Sequence, residues 1–368
     1  MSRYRPPLHD RGVIARYREY LPITEKTPIV SINEGSTPLI YSPWLSEIAG
    51  AQREVYLKYE GLNPTGSFKD RGMTMAMTKA LENGSSTVIC ASTGNTSAAA
   101  AAYAVRAGLK CAVLLPKGKI AAGKLMQAFM YGARVLAIRG NFDDALRLVR
   151  EMGDLPGFAI VNSINPYRIE GQKTAAFEII DELGDAPDIH ILPVGNAGNI
   201  TAYWKGYREF QVAGKATILP RMIGFQAAGS APIFYNRVIE QPETVASAIR
   251  IGNPASWETA KAAITDSSGH IDIVTDAEII AAQKRLAASD GVFVEPASAA
   301  SVAGFLKTWA SHKELGERSP FAGLSEKARF ALTVTGHGLK DPNTPALGDA
   351  QPIETEADLS SIRKILES

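Results

Sequence analysis

The sequence predicts an α/β protein with two doubly wound, open-sheet domains, and two observations carry that prediction. Segments typical of strands alternate with segments typical of helices from residue 55 to about residue 335, as in parallel sheets joined by helical crossovers. The chain has 368 residues, about twice the length of a typical domain, so its length favours two domains. Apolar residues make up 45% of the chain and charged residues 21%, which is sufficient for a sizeable core.

Turn and breaker residues mark the ends of the expected elements. The helix at 73–81 ends at the pair Asn83-Gly84, and an Ala-rich helix at 98–107 ends at Gly108. The expected strands lie at 55–59, 87–91, 111–115, 134–138, 158–161, 189–194, 222–226 and 330–335. The remaining expected helices lie at 123–131, 143–150, 174–183, 201–210, 277–288, 299–306 and 358–366. We expect the last helix to pack on the body and 311–325 to be a surface connection.

Charge and composition argue against several classes of protein. Lys and Arg number 39 and Asp and Glu 38, a formal net charge of +1, so no basic surface for nucleic acid or membranes is predicted. The Ala-rich stretch 98–105 is far shorter than the ~18 residues of a membrane span, and the N-terminus carries Arg and Pro where an export signal is apolar. Cys90 and Cys111 lie in apolar runs typical of buried, reduced thiols, and the histidines show no metal-ligand spacing. The expectation is a cytoplasmic protein without a metal.

Two polar turns each follow an expected strand and open a helix. They lie at 92–97 and 195–199, and both are rich in Ser, Thr, Asn and Gly. In open α/β sheets, ligands bind beyond the carboxyl ends of the strands, where helix N-termini present free amides. Either turn alone is equally well explained by ordinary helix capping. Together with the lysine segment described next, the two turns favour an anion-binding site.

Lys69 lies where a turn passes into a helix, inside the segment 63–72. A lysine at a partly buried, amide-rich helix entrance can have a lowered pKa and act as a nucleophile toward a carbonyl group. Most lysines are solvated surface residues. On chemistry alone, a surface role for Lys69 is therefore favoured over a nucleophilic one.

Six motifs occur in a fixed order along the chain. They are Glu34-Gly35-Ser36-Thr37-Pro38-Leu39, Gly66-Ser67-Phe68-Lys69-Asp70-Arg71-Gly72, Ser92-Thr93-Gly94-Asn95-Thr96-Ser97, Glu170-Gly171-Gln172-Lys173-Thr174, Gly195-Asn196-Ala197-Gly198-Asn199 and Thr335-Gly336-His337-Gly338-Leu339-Lys340-Asp341. In residues and order they resemble the motifs of pyridoxal-phosphate enzymes of the tryptophan-synthase-β fold, also called fold type II. Within that fold the set is similar to the threonine synthases. The resemblance covers roughly residues 30–345.

This resemblance implies an architecture and a reaction. A smaller domain, 59–172, is expected to be inserted in a larger one formed by 1–58 and 173–368, with pyridoxal 5'-phosphate in the cleft between them. The chain is expected to form a homodimer. The implied reaction converts O-phospho-L-homoserine and water to L-threonine and phosphate by γ-elimination and β-addition of water, the last step of threonine biosynthesis. The base that removes the Cβ proton stays open between Lys69 and the released phosphate.

The resemblance also implies how the cofactor is held. Lys69 is expected to bind it covalently and to move protons, Asn95 to hydrogen-bond the 3'-oxygen of the ring, and Thr335 to face the ring nitrogen. The residues expected to hold the cofactor phosphate are Gly195, Asn196, Ala197, Gly198 and Asn199.

Two further groups are expected to bind the substrate. Helix N-terminal amides and short hydroxyl donors suit an α-carboxylate. The residues expected to bind it are Ser92, Thr93, Asn95 and Thr96. Position after the strand at 158–161 and the resemblance together predict a second group for the substrate's phosphate, in which Arg168 offers a planar fork of donors. That group consists of Asn162, Ser163 and Arg168, with Asn196 approaching from the other domain.

The main alternative within the fold is a pyridoxal-phosphate-dependent serine/threonine dehydratase. The resemblance implies that dehydratases have an almost entirely glycine phosphate loop, whereas this chain has Asn196 and Asn199 there. A kinase or a nicotinamide enzyme is a weaker alternative. The spacing of Gly118, Gly123 and Lys124 suits a phosphate loop, but Leu125 stands where a magnesium-binding hydroxyl is needed.

Overall fold

The computed structural model describes residues 12–50, 52–92, 94–117, 122–342, 344, 348 and 352–367, and within these residues the strands form two sheets. The strands are β1 Leu39–Tyr41, β2 Glu54–Tyr59, β3 Thr87–Ala91, β4 Lys110–Pro116, β5 Arg134–Ile138, β6 Phe158–Ile160, β7 Ile189–Pro193, β8 Arg221–Ala227, β9 His270–Val274 and β10 Arg329–Val334. The chain passes from the six-stranded sheet to the four-stranded sheet after β2 and returns after β6.

Helices connect these strands. They are α1 Val13–Arg16, α2 Pro43–Ala49, α3 Lys69–Glu82, α4 Asn95–Ala107, α5 Ala122–Met130, α6 Phe142–Gly153, α7 Pro166–Gln172, α8 Thr174–Leu183, α9 Gly198–Val212, α10 Pro232–Tyr235, α11 Trp257–Asp266, α12 Asp276–Asp290, α13 Pro296–Leu315 and α14 Leu359–Leu366. In the described part of the chain, no helix has both the length and the apolar character needed to cross a bilayer.

The six-stranded sheet has the order β1-β2-β10-β7-β8-β9, and all neighbours are parallel except β1 and β2. Because successive side chains of a strand point to opposite faces, Ile191 packs in the cluster that contains α13, and Leu192 in the cluster that contains α8 and α9. Both faces of the sheet are covered here, so every residue of β7 is buried, His190 included, and the rest of the strand is apolar.

The four-stranded sheet has the order β5-β4-β3-β6 and is entirely parallel. Val88 packs with residues of α3 and α4 on one face, and Ile89 packs with residues of α6 on the other. Helices on both faces make this a doubly wound sheet, so the predicted α/β class with two open sheets is confirmed.

Several elements differ from the sequence-based expectation. Strands β1 and β9 and helices α1, α2, α7, α10 and α11 were not predicted. Helix α13 extends through Leu315, so the expected surface connection at 311–325 is wrong in its first part. The buried residues of α13 lie between Pro296 and Thr308, whereas its last turn, 311–315, is polar and partly exposed, which is why a connection was expected there. The expectation that the last helix packs on the body is also wrong, because no residue of α14 is buried.

Candidate active site

Four loops converge at the carboxyl ends of parallel strands. They follow β3, β6, β7 and β10. Asn95, Arg168 and Asn199 lie in the first turns of the helices that three of these loops enter, and Thr335 lies directly after β10. This is the edge of an α/β sheet at which ligands bind. Thr93 lies outside the described residues.

The end of β10 anchors the turn that carries Lys69. The Phe68 N–H donates to the Thr335 carbonyl at 3.0 Å, and the His337 N–H donates to the Gly66 carbonyl at 2.9 Å. Gly66 has a φ of 86°, a conformation that side chains other than glycine rarely adopt. Lys69 is the first residue of α3, so a short tight turn places its side chain at a helix entrance.

A network of buried ion pairs fixes the first turn of α3, the turn that begins with Lys69. The Arg71 guanidinium donates to Glu60 at 2.7 Å and to Glu178 at 2.6 Å, and Lys58 donates to Glu178 at 2.7 Å. These two cations and two anions balance one another, as buried charges must. Asp70 accepts the Thr65 N–H at 2.6 Å and closes the preceding turn. Lys69 is therefore presented by a rigid support.

The electrostatic surroundings of Lys69 suit a nucleophilic amine. Burial lowers the pKa of Lys69 to about 7, the Arg168 guanidinium acts in the same direction, and the Glu295 carboxylate opposes both. The Nζ atom lies 3.7 Å from the centre of the Phe68 ring. A substantial neutral fraction near pH 7 is the form that attacks a carbonyl carbon.

Among the described residues, no side chain of the turn before α4 caps that helix. The N-cap of α4 is Gly94, and no side chain caps the helix. Ser92, Asn95 and Thr96 are each half-buried. Asn95 donates through Nδ2 to both carboxylate oxygens of Glu295, at 3.0 and 3.1 Å. The hydroxyl of Thr96 is therefore not used in capping, which favours binding over the capping interpretation.

The turn at 195–199 curls the backbone tightly before α9. Ala197 has a φ of 64°, and a Cβ atom at Gly195 would lie 2.9 Å from the Ile249 Cα, so only glycine fits. Asn199 is 8% exposed, and its buried Nδ2 has no hydrogen-bond partner. A buried donor without a partner at a helix N-terminus indicates an anion. The Asn196 side-chain oxygen accepts the Ala255 N–H at 3.2 Å, which leaves its amide protons for another acceptor.

Arg168 is a buried cation without an acidic partner among the described residues. It is 2% exposed, Nη1 donates to the Val161 carbonyl at 3.3 Å, and Nε has no partner. Burial lowers the pKa of Arg168 to about 10, which still leaves it charged at neutral pH. A buried, unpaired guanidinium is costly unless an anion binds it.

Asn162 also has a structural role, since its side chain joins two segments by hydrogen bonds. Its side chain accepts the Ala91 N–H at 2.9 Å and donates to the Ala91 carbonyl at 3.0 Å, which holds the end of β3 against the loop after β6. One amide proton remains for a ligand. Ser163 is half-buried in the same loop.

Two residues that sequence reasoning missed join this site. Glu295, 5% exposed, immediately precedes α13 and contacts Asn95, while the Ser298 Oγ lies 2.9 Å from the Thr335 Oγ1. Burial raises the pKa of Glu295, and the Asn95 hydrogen bond opposes that rise. A Glu-Pro pair after an apolar run is a signal for a helix start. That signal does not show what the carboxylate contacts.

Comparison with known proteins identifies the class to which this fold and site belong. The model of the family described as "Pyridoxal-phosphate dependent enzyme" matches residues 30–323, and the chain belongs to this family. The threonine synthase of Halalkalibacterium halodurans is 59% identical over 91% of each chain. That of Synechocystis sp. is 55% identical over 97% of this chain and 91% of its own. That of Methanocaldococcus jannaschii is 50% identical over 95% of this chain and 86% of its own.

Solved structures agree on the fold. Maize serine racemase superposes with a TM-score of 0.69 at 20% identity, covering 82% of this chain and 88% of its own. An O-ureido-L-serine synthase superposes with a TM-score of 0.72 at 18% identity, covering 94% of this chain and 100% of its own. At these identities the likeness shows the fold alone, and it confirms fold type II.

The cofactor is pyridoxal phosphate, and the residues present fit it. Lys69 supplies an amine for its aldehyde, and Thr335 supplies a hydroxyl at the end of β10. The unpartnered Asn199 Nδ2, together with the free amides at the start of α9, suits its phosphate.

Proposed function

We propose that this protein converts O-phospho-L-homoserine and water into L-threonine and inorganic phosphate, as a threonine synthase that uses pyridoxal phosphate. Curated threonine synthases that are 50% to 59% identical over at least nine-tenths of this chain support the proposal. Arg168, a buried guanidinium with no acidic partner among the described residues, carries the choice of a phosphorylated substrate. The cofactor supplies an electron sink for negative charge that develops on the amino acid substrate.

Lys69 is proposed as the residue that binds the cofactor and transfers protons at the substrate's Cα. With a pKa near 7, its amine accepts and donates a proton with comparable ease at neutral pH. The anchored turn and the buried Arg71 ion pairs hold the amine in place while it does so. Asn95 and Thr335 are proposed to orient the ring, and Gly195, Asn196, Ala197, Gly198 and Asn199 its phosphate.

The turn before α4 is proposed to bind the substrate's α-carboxylate. Ser92, Thr93, Asn95 and Thr96 provide neutral donors at a helix N-terminus, which favours a negative group without adding a full counter-charge. Helix α4 has no side-chain cap, which supports this use.

Arg168, with Asn162, Ser163 and Asn196, is proposed to bind the substrate's phosphate. When the Cγ–O bond breaks, the leaving phosphate gains negative charge, and a buried guanidinium stabilises that charge more strongly than a solvated one does. Asn196 fits this arrangement because its oxygen is held by Ala255, so its amide protons face away from that bond.

The dehydratase alternative has less support. The substrate of a serine or threonine dehydratase carries no phosphate, so Arg168 would stay buried without an anion. A threonine deaminase superposes with a TM-score of 0.66 at 23% identity, which shows the shared fold alone. The test is to assay phosphate release from O-phospho-L-homoserine and 2-oxobutyrate formation from L-threonine. Rapid phosphate release with slow oxo-acid formation supports the synthase, and the reverse supports the dehydratase.

We further propose the domain division and assembly that the sequence implies. The four-stranded sheet between Thr87 and Ile160 supports a smaller domain at 59–172, with 1–58 and 173–368 forming the larger one. The protein is proposed to act in the cytoplasm as a homodimer that binds neither nucleic acid nor membranes, and a net charge of +1 agrees with this. Light scattering after size-exclusion chromatography measures the oligomeric state.

A further inference from the structure

We propose that Ser298 is a positioning residue that aims the hydroxyl proton of Thr335 into the cofactor cleft, toward the ring nitrogen. The inference rests on the proposed function insofar as it takes Thr335 to face that nitrogen. Neither the motifs nor the family expectation includes Ser298.

The two hydroxyls meet at the junction of two elements. Ser298 is fully buried in the first turn of α13, and Thr335 is 5% exposed just after β10. Their oxygens lie 2.9 Å apart. The Thr335 carbonyl also accepts the Phe68 N–H at 3.0 Å, so the same residue anchors the turn that carries Lys69.

The other hydrogen bonds of Ser298 favour one direction for this contact. The Ser298 oxygen accepts the Gly336 N–H at 2.8 Å, and its single proton has two acceptors within reach, Thr335 Oγ1 at 2.9 Å and the Gly336 carbonyl at 3.2 Å. That carbonyl already accepts the Glu295 N–H at 3.1 Å. Thr335 is the nearer acceptor and the one not already bonded to the Glu295 N–H, so we take Ser298 to donate to it. The Thr335 proton is then released from the pair and can be donated to a group in the cleft.

A hydroxyl that donates selects an aromatic nitrogen that accepts. An unprotonated ring nitrogen has a lone pair for the Thr335 proton, whereas a protonated one would need an acceptor or a carboxylate. Ser298 thus sets which protonation state of the ring the site favours. It acts through Thr335 and touches neither cofactor nor substrate.

Helix α13 offers a matched control one turn further on. Ser301 is also fully buried, and its hydroxyl donates to the Thr333 carbonyl at 3.0 Å and to the Ser298 carbonyl at 2.9 Å. It contacts the same strand without touching the Thr335 hydroxyl. A general loss of packing or of a buried hydrogen bond would therefore affect Ser301→Ala as much as Ser298→Ala.

The test makes two measurements on the holoenzyme. The first is the rate of cofactor release, monitored by the decay of visible absorption after dilution. The second is the pH dependence of that absorption. We expect Ser298→Ala to release cofactor roughly tenfold faster, the scale of one lost hydrogen bond, and to alter the pH dependence. Ser301→Ala should stay within about threefold of the unmodified protein. In a Thr335→Val background, Ser298→Ala should add less than about twofold, because the residue through which it acts is gone.

Three results would overturn the inference. The first is equal rates of cofactor release in Ser298→Ala and Ser301→Ala, and the second is an unaltered pH dependence of absorption in Ser298→Ala. The third is that Ser298→Ala accelerates release in the Thr335→Val background as much as it does alone. If Ser298→Ala does not fold, Ser298→Cys replaces it, since it keeps the size and weakens the hydrogen bond; the same outcomes apply. Phosphate release by the unmodified enzyme is measured separately. Its absence would contradict the proposed function, whereas the release rates bear on Ser298 alone.

Discussion

The Asn95 amide donates to both oxygens of the Glu295 carboxylate, at 3.0 and 3.1 Å. This contact joins the first residue of α4, which packs on the four-stranded sheet, to the residue before α13, which packs on the six-stranded sheet. The carboxylate is buried and also raises the pKa of Lys69. One acidic side chain therefore links the two halves of the site and adjusts the charge of its central amine.

Removing the charge of Glu295 tests this link. In Glu295→Gln, the protonated form of Lys69 loses a nearby anion, so we expect the pKa of Lys69 to fall further. The measurement is the pH dependence of the rate at which cofactor-free protein takes up pyridoxal phosphate, because only the neutral amine reacts. The profile should move to lower pH in Glu295→Gln and stay in place in the exposed control Glu326→Gln. An unmoved profile in both variants would contradict the link.

Replacing Lys69 tests the covalent attachment of the cofactor. Lys69→Ala should abolish the visible absorption that borohydride treatment alters, and kcat should fall by roughly 10³ or more, as expected when a covalent catalyst is removed. Lys79→Ala, on the same helix, should keep both cofactor and turnover. Normal turnover in Lys69→Ala would assign the attachment to another lysine.

Thr96 distinguishes carboxylate binding from helix capping. Since the N-cap of α4 is Gly94 and no side chain caps the helix, Thr96→Val should change Tm by no more than about 2 °C, the effect of a change well under 1 kcal/mol. The KM for the amino acid substrate should rise roughly tenfold, the scale of one lost hydrogen bond. Steady-state kinetics and calorimetry give the two values. A lowered Tm with unchanged KM would favour the capping interpretation.

Arg168 distinguishes a synthase from a dehydratase. Arg168→Ala should lower kcat/KM for O-phospho-L-homoserine by roughly 30- to 1,000-fold, about 2–4 kcal/mol for a charged hydrogen bond to phosphate. Arg168→Lys should recover only part of this loss, since an ammonium cannot match the planar fork. The exposed Arg147→Ala serves as control. A loss under about threefold would place the phosphate elsewhere.

The buried ion pairs of Glu178 make stability depend on pH. Burial raises the pKa of Glu178, but Arg71 and Lys58 outweigh burial and hold it far below its ordinary value of 4.5. A carboxyl with a lowered pKa in the folded state contributes stability above about pH 4.5, and that contribution is lost as the pH falls further. Denaturant titrations of the unmodified protein should therefore show stability falling below this pH. At pH 7, Glu178→Gln should have a free energy of unfolding lower by about 3–5 kcal/mol. Below pH 4.5, that free energy should depend less on pH than in the unmodified protein. Equal pH slopes in the two proteins would contradict this assignment.

The sequence by itself determined the α/β class and the polar segments at the ends of the strands. Strand and helix periodicities are local, and capping and turn residues lie within a few positions of the elements they end. Lys69, the turn at 195–199 and Arg168 were singled out from short segments together with the resemblance of the motifs to a known family, and the structure brings these segments to one edge of the sheets.

Only the tertiary structure decided which side chains support these residues. Glu295 lies 200 positions from Asn95, and Ser298 lies 37 positions from Thr335. No local pattern relates such residues, because their contact depends on how two sheets and α13 pack together. The full extent of α13 was missed because its last turn, from Ser311 to Leu315, is polar and runs directly into Gly316, a composition typical of a surface connection. Burial also adjusted the electrostatics of the site, since the lowered pKa values of Lys69 and Arg168 are effects of desolvation, which arises only when the chain is packed.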